Sequence, residues 1–460
     1  MRILQISNAD QGGGAERIAW ELQRAYRLAG HDARLAVAHK RTGDPNVIVL
    51  PDARTRNPWA RLWWSLHAYL LRRAGDRYRG SGASQLVRGL AAPAGVFDYL
   101  RGVENFHFPG AHHLLDVLPQ LPDLIHAHNL HHNYFDLRVL APWSRQLPVL
   151  LTLHDAWLLS GHCAHSLDCE RWRSGCGNCP DLTLYPAVRR DATAANWQRK
   201  QAIYRASRLY VATPSRWLMD KVDHSMLRAG IVEARVIANG VDLAVYRPGD
   251  RAQARRTLGL PDPARIVLFA ANGIRNNRWK DFATLRAAIA GVAAQPGMES
   301  LHFLALGEDA PSEQIGAAHI CFVPYQRDPA VVADYYRAAD LYIHAARADT
   351  FPNTVLEALA CGLPVVATAV GGIPEQVTPL DHAADPTGML VPVGEVAAMT
   401  TAIARLLNDE SLRLHLGHNA AQDATRRFSL DRQADAYLAW YREILADRQT
   451  AASVPPYGAP

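Results

Sequence analysis

Short runs of aliphatic and β-branched residues recur along the chain, and segments of helical length separate them. Such runs are typical of strands that are buried on both faces of a parallel sheet. The first series of predicted strands is Ile3–Ile6, Leu35–Ala38, Val47–Leu50, Leu124–Ala127, Val149–Leu153, Leu209–Ala212 and Arg235–Ile237. The second series is Ile266–Ala270, Phe303–Leu306, Cys321–Val323, Leu341–His344 and Val365–Ala367. The alternation predicts an α/β fold with two doubly wound domains and right-handed crossovers.

The segment Asn239–Pro248 has turn residues at both ends and marks the predicted boundary between the two domains. We predict a first domain over residues 1–240 and a second over 241–427. Apolar positions at helical spacing then predict a helix over 428–447 that packs back on the first domain. Residues 448–460 contain three prolines and show no periodicity, so they are predicted to be a disordered tail.

The composition is that of a globular protein, since 49% of the 460 residues are hydrophobic and 20% are charged. These fractions exclude a disordered chain, a collagen and a small disulfide scaffold. No stretch approaches the roughly 18 consecutive apolar residues of a membrane span. The N-terminal MRILQIS is interpreted as a core strand rather than a signal peptide, which predicts a cytoplasmic protein. Its six cysteines are then expected to be free or metal-bound rather than paired.

The formal net charge of +5 is concentrated in one stretch. Residues 51–90 carry eight arginines against two acidic residues, so they sum to +6 and the remainder to −1. Local basicity of this kind indicates one anionic surface rather than affinity for nucleic acid. Inside this basic insertion, over residues 51–95, the segment 57–73 combines apolar residues at helical spacing with arginines and tryptophans. We interpret it as an amphipathic helix on an anionic membrane surface; the alternative is a helix packed on its own domain with a solvated rim.

A glycine run, Gly12, Gly13 and Gly14, follows the first predicted strand and precedes its helix. Backbone N–H groups there can approach an anion at the positive end of the helix. The run lacks the G-x-G-x-x-G spacing, so a plain tight turn explains it equally well.

Two carboxylates, Asp349 and Glu357, are separated by seven residues: Asp349 ends a predicted strand-to-helix loop, and Glu357 lies about one turn into the helix. Gly362 and Pro364 close this helix before the next strand. A carboxylate in this position can hold both ribose hydroxyls of a nucleotide while the helix N-terminus faces a diphosphate.

Three cations, Arg275, Arg278 and Lys280, follow the first strand of the second domain. Guanidinium forks and an ammonium charge suit a diphosphate leaving group. The alternative is a solvated basic loop.

Taken together, these segments resemble the retaining GT-B glycosyltransferases of family 4. The resemblance covers nearly the whole chain apart from about residues 51–95 and the tail, and the acid-x7-acid element is its most specific part. It implies two Rossmann-like domains facing a cleft, with an acceptor-binding N-terminal domain and a C-terminal domain that binds a nucleotide-sugar such as a UDP- or GDP-sugar. The matched pieces are Gly12–Arg17, Leu151–Asp155, Pro214–Arg216, Asn239–Asp242, Arg275 with Lys280, Asp349 with Glu357, and Phe428–Leu445.

The resemblance also implies how the donor is held. Glu357 would bind the ribose, and Arg275 and Lys280 would bind the diphosphate. Gly13 and Gly14 would face the phosphates across the cleft. The backbone that would also face the donor belongs to Phe351, Pro352, Asn353 and Thr354.

The catalytic set implied by the resemblance is His154, Asp349, Arg275 and Lys280. His154 would contact the transferred sugar, although a histidine at a strand end is about as often a packed hydrogen-bonding residue. Asp349 stands where the family usually has Glu, one methylene longer. Cations and helix-end amides would stabilise the departing nucleoside diphosphate, which would accept the proton of the acceptor. The sequence contains no Asp-x-Asp near a strand end, so no cofactor is expected for catalysis.

Four histidines, His126, His128, His131 and His132, lie where a strand of the first domain ends. They could ligate a transition metal, pack structurally, or form the polar wall of an acceptor site, which is the interpretation we favour. The expected acceptor contacts are His128, His131, Asn133 and Asp155.

A cysteine-rich loop covers residues 161–180 and contains Cys163, Cys169, Cys176 and Cys179. The last two form a C-x2-C pair around a glycine, which is typical of half a zinc site. We therefore predict structural zinc, with unmetallated thiols or disulfides as alternatives. The loop resembles those of polysaccharide-assembly members of the family, of the colanic-acid and exopolysaccharide type. The two other cysteines are expected to be structural: Cys321 and Cys361.

These features predict a retaining hexosyltransferase that acts on a nucleotide-sugar and a lipid-linked glycan in surface-polysaccharide biosynthesis. We expect a peripheral protein on the inner face of the cytoplasmic membrane. One alternative keeps the fold but changes the reaction, to a nucleotide-sugar epimerase or to a phosphorylase, for which no pyridoxal phosphate lysine is evident. Another is a non-catalytic carbohydrate- or nucleotide-binding subunit.

Overall fold

The computed structural model describes residues 1–79, 81–381 and 384–453. These residues form two compact units. Unit 1 comprises Met1–Thr213, Met219–Arg235 and the described residues from Leu438 onwards. Unit 2 comprises Pro214–Leu218 and Val236–Tyr437. The chain therefore passes between the units more than once instead of through a single linker.

Unit 1 is built on a seven-stranded sheet of order β3-β2-β1-β4-β5-β6-β7. The strands are β1 (Arg2–Ala9), β2 (Asp32–His39), β3 (Val47–Val49), β4 (Leu124–His128), β5 (Val149–Thr152), β6 (Leu209–Thr213) and β7 (Ile231–Val236). Strand β1 pairs in parallel with both β2 and β4, and the parallel ladder continues through β5 to β6. Since the chain builds one side of the sheet from β1 and then returns to start the other at β4, the carboxyl ends of these two strands form a topological switch point.

The helices that accompany this sheet are mostly short. The α-helices are α1 (Gly14–Leu28), α2 (Asp52–Thr55), α3 (Pro58–Arg79), α4 (Gly82–Ala91), α5 (Pro93–Arg101), α6 (Pro109–His112), α7 (Leu140–Gln146), α8 (Thr193–Arg205) and α9 (Arg216–Asp223). Single 3-10 turns cover Leu115–Val117, Leu137–Val139, Trp157–Leu159, Arg171–Arg173 and Met226–Gly230.

Unit 2 contains a second seven-stranded sheet, of order β10-β11-β9-β8-β12-β13-β14. The strands are β8 (Arg265–Ala270), β9 (Leu301–Leu306), β10 (Glu313–Ile315), β11 (Ala318–Val323), β12 (Leu341–His344), β13 (Val365–Thr368) and β14 (Gly388–Val391). All neighbours pair in parallel except the edge strand β10, which is antiparallel to β11. The switch point of this sheet lies between β8 and β12.

The helices of the second half of the chain are α10 (Arg251–Leu258), α11 (Phe282–Ala293), α12 (Pro329–Ala338), α13 (Asn353–Ala360), α14 (Ile373–Gln376), α15 (Val396–Asn408), α16 (Glu410–Arg427) and α17 (Leu430–Ser453). Those of unit 2, α10 to α16, cover both faces of this sheet, whereas α17 begins in unit 2 and continues in unit 1. Strand β8 shows the two-sided burial directly, since Leu268 and Ala270 belong to one apolar cluster while Val267 and Phe269 belong to another. Side chains alternate across a strand, so a strand covered on both faces becomes a continuous apolar run.

The sequence pattern missed or misplaced three of the four edge strands, whereas the fourth, β3, was predicted. Strand β7 lies at Ile231–Val236 instead of 235–237, and strands β10 and β14 were not anticipated. Strand β7 is half exposed and β10 has only three residues, so neither carries a buried apolar run. These two edge strands therefore lack the signal on which the pattern depends.

The C-terminal helix α17 is longer than predicted. It runs to Ser453, so residues 448–453 are helical and do not belong to a disordered tail; residues 454–460 lie outside the described residues. No helix breaker occurs before Pro455, and Arg448 Nη2 donates to the carbonyl of Gln146 at 3.1 Å. From Leu438 onwards the helix belongs to unit 1, where the Tyr441 and Tyr26 hydroxyls lie 3.1 Å apart.

The basic insertion forms the helices α2 to α5. Helix α3 covers the predicted segment from Pro58 to residue 73 and is interrupted at Gly75, whose φ of 53° lies in the left-handed region. Trp59 is 53% exposed and Leu62 is 64% exposed. Further exposed apolar side chains on these helices are Leu66, Tyr69, Leu86, Val96, Phe97, Tyr99 and Leu100. Within the described ranges, every helix is too short or too polar to cross a membrane.

Candidate functional site

The switch point of unit 2 gathers the residues that the sequence assigned to a nucleotide. Strand β8 leads into the loop 271–281, and strand β12 leads into the loop 345–352, which continues into α13. Parallel strands end at the same edge of a sheet, and ligands of open α/β sheets bind outside these ends. Lys280 of the first loop and Asp349 of the second therefore meet.

Lys280, Asp349 and His344 form one hydrogen-bonded group, which we call the donor-edge cluster. Lys280 Nζ lies 2.5 Å from Asp349 Oδ2 and 3.1 Å from His344 Nε2. The same imidazole nitrogen lies 3.2 Å from Asp349 Oδ2. The side chains of Lys280 and Asp349 are 13% and 19% exposed, whereas that of His344 is fully buried. A cation, a carboxylate and an imidazole thus share one partly covered position.

The protonation states within the donor-edge cluster follow from its geometry. Burial by itself would raise the pKa of Asp349, but the charge of Lys280 and the hydrogen bond with His344 hold that pKa well below its usual range. Burial and the charge of Lys280 lower the pKa of His344 to about 4. At pH 7 the carboxylate is therefore ionised and the imidazole is neutral.

Backbone hydrogen bonds hold the two loops beside each other. The Arg347 N–H donates to the Trp279 carbonyl at 2.9 Å, and the Asp281 N–H donates to the Ala345 carbonyl at 3.1 Å. Because these bonds flank both sides of Lys280, its position relative to β12 is set by the main chain.

The main chain at two glycines after β13 packs closely against the loop that carries Asp349. A Cβ atom on Gly371, whose φ is +60°, would lie 1.7 Å from the Asp349 carbonyl oxygen. A Cβ atom on Gly372 would lie 2.0 Å from the Thr350 carbonyl oxygen. Only glycine permits this close approach of two main chains, so the pair fixes the path of residues 349–350.

Helix α13 begins beside the donor-edge cluster. Pro352 occupies its N-cap and supplies no side-chain cap, and Asn353 Oδ1 accepts a hydrogen bond from Asn239 Nδ2 at 3.0 Å. Glu357, in the second turn, is 5% exposed and accepts a hydrogen bond from the Tyr336 hydroxyl at 2.8 Å. The helix start therefore combines a positive helix end with a buried carboxylate.

Two predicted donor residues flank this helix start. Phe351 is buried and packs edge-on against Phe428, with ring centroids 5.9 Å apart. Thr354 lies in the first turn of α13.

Arg275 does not join Lys280, although the sequence grouped the two residues as a pair. Its backbone N–H donates to Glu308 Oε2 at 3.0 Å, and its side-chain Nη2 lies 3.6 Å from Glu313 Oε1. The guanidinium also lies 5.5 Å from the centroid of the Phe322 ring. The loop 271–281 thus carries its cations at two separate positions.

The switch point of unit 1 carries the glycine run. Helix α1 begins at Gly14, Gly13 is its N-cap, and Gly12 has a φ of +145°. A Cβ atom on Gly13 would lie 2.6 Å from Glu16 Oε2, so the Glu16 carboxylate covers the first turn. A carboxylate already lies at the positive end of this helix, where the sequence predicted a phosphate.

The histidines of unit 1 form a buried chain across the ends of β4 and β5. His128 Nδ1 lies 3.1 Å from His154 Nε2, and His128 Nε2 lies 3.2 Å from Gln5 Nε2. His126 Nδ1 lies 2.6 Å from the Tyr441 hydroxyl of α17. Burial lowers the pKa of His126 and of His128 well below its ordinary value, and that of His154 to about 4. These imidazoles are therefore neutral at pH 7, and of the three His154 is the one that reaches the surface.

His131 and Asp155 form a separate hydrogen-bonded pair in the same unit. His131 Nε2 is 2.6 Å from Asp155 Oδ2, and the buried Nδ1 of His131 has no hydrogen-bond partner among the described residues. Burial would raise the pKa of Asp155, but His131 holds it well below its usual range. His132 and Asn133 are exposed, and both have a positive φ. Of the predicted acceptor contacts, His128 and His131 are thus buried, whereas Asp155 and Asn133 reach the surface.

A buried ion pair lies beneath the segment that follows Asp155. Lys200 Nζ lies 2.9 Å from Glu104 Oε1 and donates to the carbonyls of Trp157 and Ser160 at 3.0 and 3.1 Å. The ammonium also lies 3.7 Å from the centroid of the Trp157 ring. Lys200 therefore holds the segment 157–160 in place.

The four cysteines of the cysteine-rich loop are free thiols. Cys179 Sγ lies 3.3 Å from His162 Nε2, and burial raises the pKa of Cys163 and of Cys176 to about 11. In the part of the chain that the structure describes, no three His, Cys, Asp or Glu side chains are grouped so that they could hold a metal ion. The geometry therefore adds no support for zinc or for a metal at the histidines, and zinc binding stays a prediction from cysteine spacing.

Two functional features were missed from the sequence. His344 is a polar residue at the end of the apolar run Leu341–His344, and that position was the available signal. Lys200 and Glu104 stand 96 residues apart and carry no local signal.

Comparison with known proteins connects unit 2 to glycosyl transfer. Residues 264–409 match the family described as "Glycosyl transferases group 1", and this segment contains the donor-edge cluster and α13. The chain is 35% identical over 232 residues to a D-inositol 3-phosphate glycosyltransferase of Acidothermus cellulolyticus, covering 48% of this chain and 50% of that protein. It is 30% identical over 295 residues to a protein of the same name from Rhodococcus erythropolis, covering 61% and 62%. The chain spans about half the length of the curated relatives it matches.

Solved structures resemble the chain over almost its whole length. Sucrose-phosphate synthase from Thermosynechococcus elongatus has a TM-score of 0.63 at 22% identity and covers 97% of this chain and 99% of its own. Anabaena HepE, solved in complex with UDP-glucose, has a TM-score of 0.58 at 18% identity, with coverages of 98% and 100%. At such identities the likeness shows the fold alone. The predicted fold class is confirmed: two Rossmann-like parallel sheets of the GT-B type.

Proposed function

We propose that this protein is a retaining glycosyltransferase that moves a hexosyl group from a UDP- or GDP-sugar to a lipid-linked glycan acceptor of surface-polysaccharide biosynthesis. The observation that carries the proposal is the donor-edge cluster beside the start of α13, inside the segment that matches the glycosyl transferases group 1 family. A lysine, a carboxylate and a helix N-terminus at one switch point suit a nucleoside diphosphate. The UDP-glucose complex of HepE makes UDP-glucose the first donor to test.

The donor would be held by unit 2. Its diphosphate would take hydrogen bonds from Lys280 and from the N-terminus of α13, and Glu357 would accept hydrogen bonds from the ribose hydroxyls. Glu357 is bonded by Tyr336 on one oxygen, which orients the carboxylate before a ribose arrives. Arg275, 43% exposed and 3.6 Å from Glu313 Oε1, would add a second cation from the same loop.

The reaction would proceed on one face of the donor sugar. The bond between the anomeric carbon and the diphosphate oxygen breaks while the acceptor oxygen bonds to that carbon from the same side, which retains its configuration. The acceptor proton passes to the departing phosphate oxygen, so no nucleophilic side chain is required. Negative charge develops on the diphosphate, and Lys280 with the helix end would stabilise it where it forms. Asp349, ionised at pH 7, would accept a hydrogen bond from a hydroxyl of the donor sugar.

The acceptor would be bound by unit 1. His154 is partly exposed at the end of β5, and a neutral imidazole both donates and accepts, as a sugar hydroxyl requires. The buried His128 would orient His154 through their 3.1 Å contact, and His131 would orient Asp155 in the same way. Asn133 would add an exposed amide. Each exposed polar group is thus supported by a buried histidine or lies on a turn.

The lipid-linked acceptor is supported by the surface of helices α3 to α5. Exposed aromatic and aliphatic side chains such as Trp59 and Phe97 accompany the arginines of the +6 stretch. Apolar side chains insert at the headgroup boundary, and each basic residue near an anionic surface contributes about 1 kcal/mol. This surface would attach the protein to the inner face of the cytoplasmic membrane, where lipid-linked sugars are assembled.

The donor site is tested by nucleotide binding and by turnover. Calorimetry with UDP and GDP, and hydrolysis of UDP-glucose without acceptor, should both respond to Lys280→Ala. We expect about 100-fold slower turnover, the usual effect of removing one group that stabilises developing charge. Arg256→Ala is the matched control, since Arg256 is an exposed cation of unit 2 that bonds Gln253 on its own helix.

The outcomes of this experiment separate the alternatives. Wild-type binding and turnover in Lys280→Ala would refute the site. Nucleotide binding with no turnover on any donor or acceptor would favour a non-catalytic subunit. The anomeric configuration of the product, read by proton NMR, tests retention.

A further inference from the structure

His344 lies between the two charged members of the donor-edge cluster and has a second contact behind it. Its Nε2 faces both Lys280 Nζ and Asp349 Oδ2, and its Nδ1 lies 3.0 Å from the Tyr342 hydroxyl. The Tyr342 oxygen lies 3.4 Å from the Ala270 carbonyl. Lys280, Asp349 and Tyr342 are the titratable groups that face the imidazole, which is fully buried.

Hydrogen-bond chemistry allows two arrangements of this group. An ammonium can only donate and a carboxylate can only accept, while a neutral imidazole carries one proton. With that proton on Nδ1, His344 donates to the Tyr342 oxygen, Tyr342 donates to the Ala270 carbonyl, and Nε2 accepts from Lys280. With the proton on Nε2, His344 donates to Asp349, and Nδ1 accepts from the Tyr342 hydroxyl. Both arrangements use the same atoms at the observed distances.

We propose that His344 is a positioning residue that changes tautomer when Lys280 turns from Asp349 to the diphosphate of the bound donor. This inference rests on the function proposed above. Before the donor binds, Lys280 neutralises Asp349 and His344 carries its proton on Nδ1. When Lys280 bonds the diphosphate, His344 carries its proton on Nε2 and donates it to Asp349.

The change of tautomer keeps Asp349 hydrogen-bonded when Lys280 turns away from it. The carboxylate is 19% exposed and would be left without its strongest partner if Lys280 turned away. An ionised group that loses a buried partner is penalised heavily, so Lys280 would stay on Asp349 and bind the diphosphate poorly. A hydrogen bond donated by His344 Nε2 to Asp349 removes that penalty. The net change removes one proton from Nδ1 and adds one at Nε2, so the imidazole is neutral before and after.

Selective labelling with nitrogen-15 histidine tests the tautomer directly. We expect the Nδ1–H form of His344 in the unliganded protein and the Nε2–H form with saturating UDP, with the resonance assigned from its loss in His344→Gln. UDP and GDP are titrated in parallel by calorimetry. The tautomer is read on the wild-type chain, and the variant His344→Gln is needed only to assign the resonance among the 20 histidines.

Two variants of His344 separate hydrogen bonding from packing. His344→Gln keeps an amide that can turn its oxygen to Lys280 or its nitrogen to Asp349, and we expect its UDP dissociation constant to stay within about threefold of the wild type. His344→Leu fills the space without either bond, and we expect that constant to rise about 10- to 100-fold. His302→Leu is the control. His302 lies on strand β9 of the same unit, and its ring centroid is 5.1 Å from that of His319, on which it stacks.

The results distinguish this inference from the proposed function. If the wild type binds neither UDP nor GDP, the proposed function falls and this inference falls with it. If UDP binds, the tautomer does not change and His344→Leu binds UDP as the wild type does, the inference is wrong while the proposed function stands.

Discussion

The substitution Lys200→Met tests how unit 1 supports its histidine-rich edge. Lys200 is fully buried, and its ammonium joins Glu104 to the carbonyls of Trp157 and Ser160. Methionine fills a similar volume but donates no hydrogen bond. The variant therefore leaves the buried Glu104 carboxylate without its paired cation and removes one donor from each of two carbonyls, although the Trp157 carbonyl keeps the Ser160 N–H at 3.3 Å.

The expected cost is large because the partner charge stays behind. Breaking a buried ion pair from one side typically costs about 3–5 kcal/mol. With a urea slope of about 2 kcal/mol/M, this lowers the unfolding midpoint of unit 1 by about 2 M. The double variant Lys200→Met/Glu104→Gln should recover most of the loss, since it also removes the stranded charge.

The cost should depend on pH. Burial already raises the pKa of Glu104 in the wild type, despite Lys200, and without the lysine this pKa rises further. A folded-state pKa above the unfolded value of about 4.3 means that the penalty is small near pH 4.5 and grows until pH passes the folded-state pKa. The difference between variant and wild type should therefore be greater at pH 7.5 than at pH 4.5.

Tryptophan fluorescence is a suitable assay because nine of the chain's 11 tryptophans lie in unit 1, the others being Trp217 and Trp279. Lys40→Met is the control, since Lys40 donates to two carbonyls at the surface. A midpoint shift below about 0.5 M at pH 7.5, or the same shift at both pH values, would refute the reasoning.

Three further predictions concern other parts of the molecule. Gly371→Ala should weaken UDP binding at least tenfold by calorimetry, because its Cβ would lie 1.7 Å from the Asp349 carbonyl oxygen; Gly394→Ala, with a φ of +78° and open space around the Cβ, should leave binding unchanged. The wild type should co-sediment with anionic more than with neutral liposomes, and Trp59→Ser/Leu62→Ser should lose this preference; equal sedimentation of the wild type with both would contradict the membrane surface. Purified, unchelated protein should contain about one zinc per chain by mass spectrometry if the cysteine spacing is read correctly, and less than about a tenth of an equivalent would end that prediction.

The sequence was most informative where burial is two-sided. Strands such as β8 and β12 are covered on both faces, so their apolar runs stand out without any knowledge of the fold. The acid-x7-acid spacing likewise placed Asp349 in a loop and Glu357 on the following helix. The edge strand β7 was misplaced because its residues are partly or fully exposed, so no continuous apolar run marks the strand in the sequence.

Local patterns of burial and turn formation therefore predicted the fold class and most strands of the two sheets. Which polar side chains lie in contact became visible only in the folded protein. The tertiary structure separated Arg275 from Lys280, placed His344 against Asp349, and joined Lys200 to Glu104. These contacts link residues on different elements of the fold, and their strength depends on burial that exists only once the strands and helices have packed.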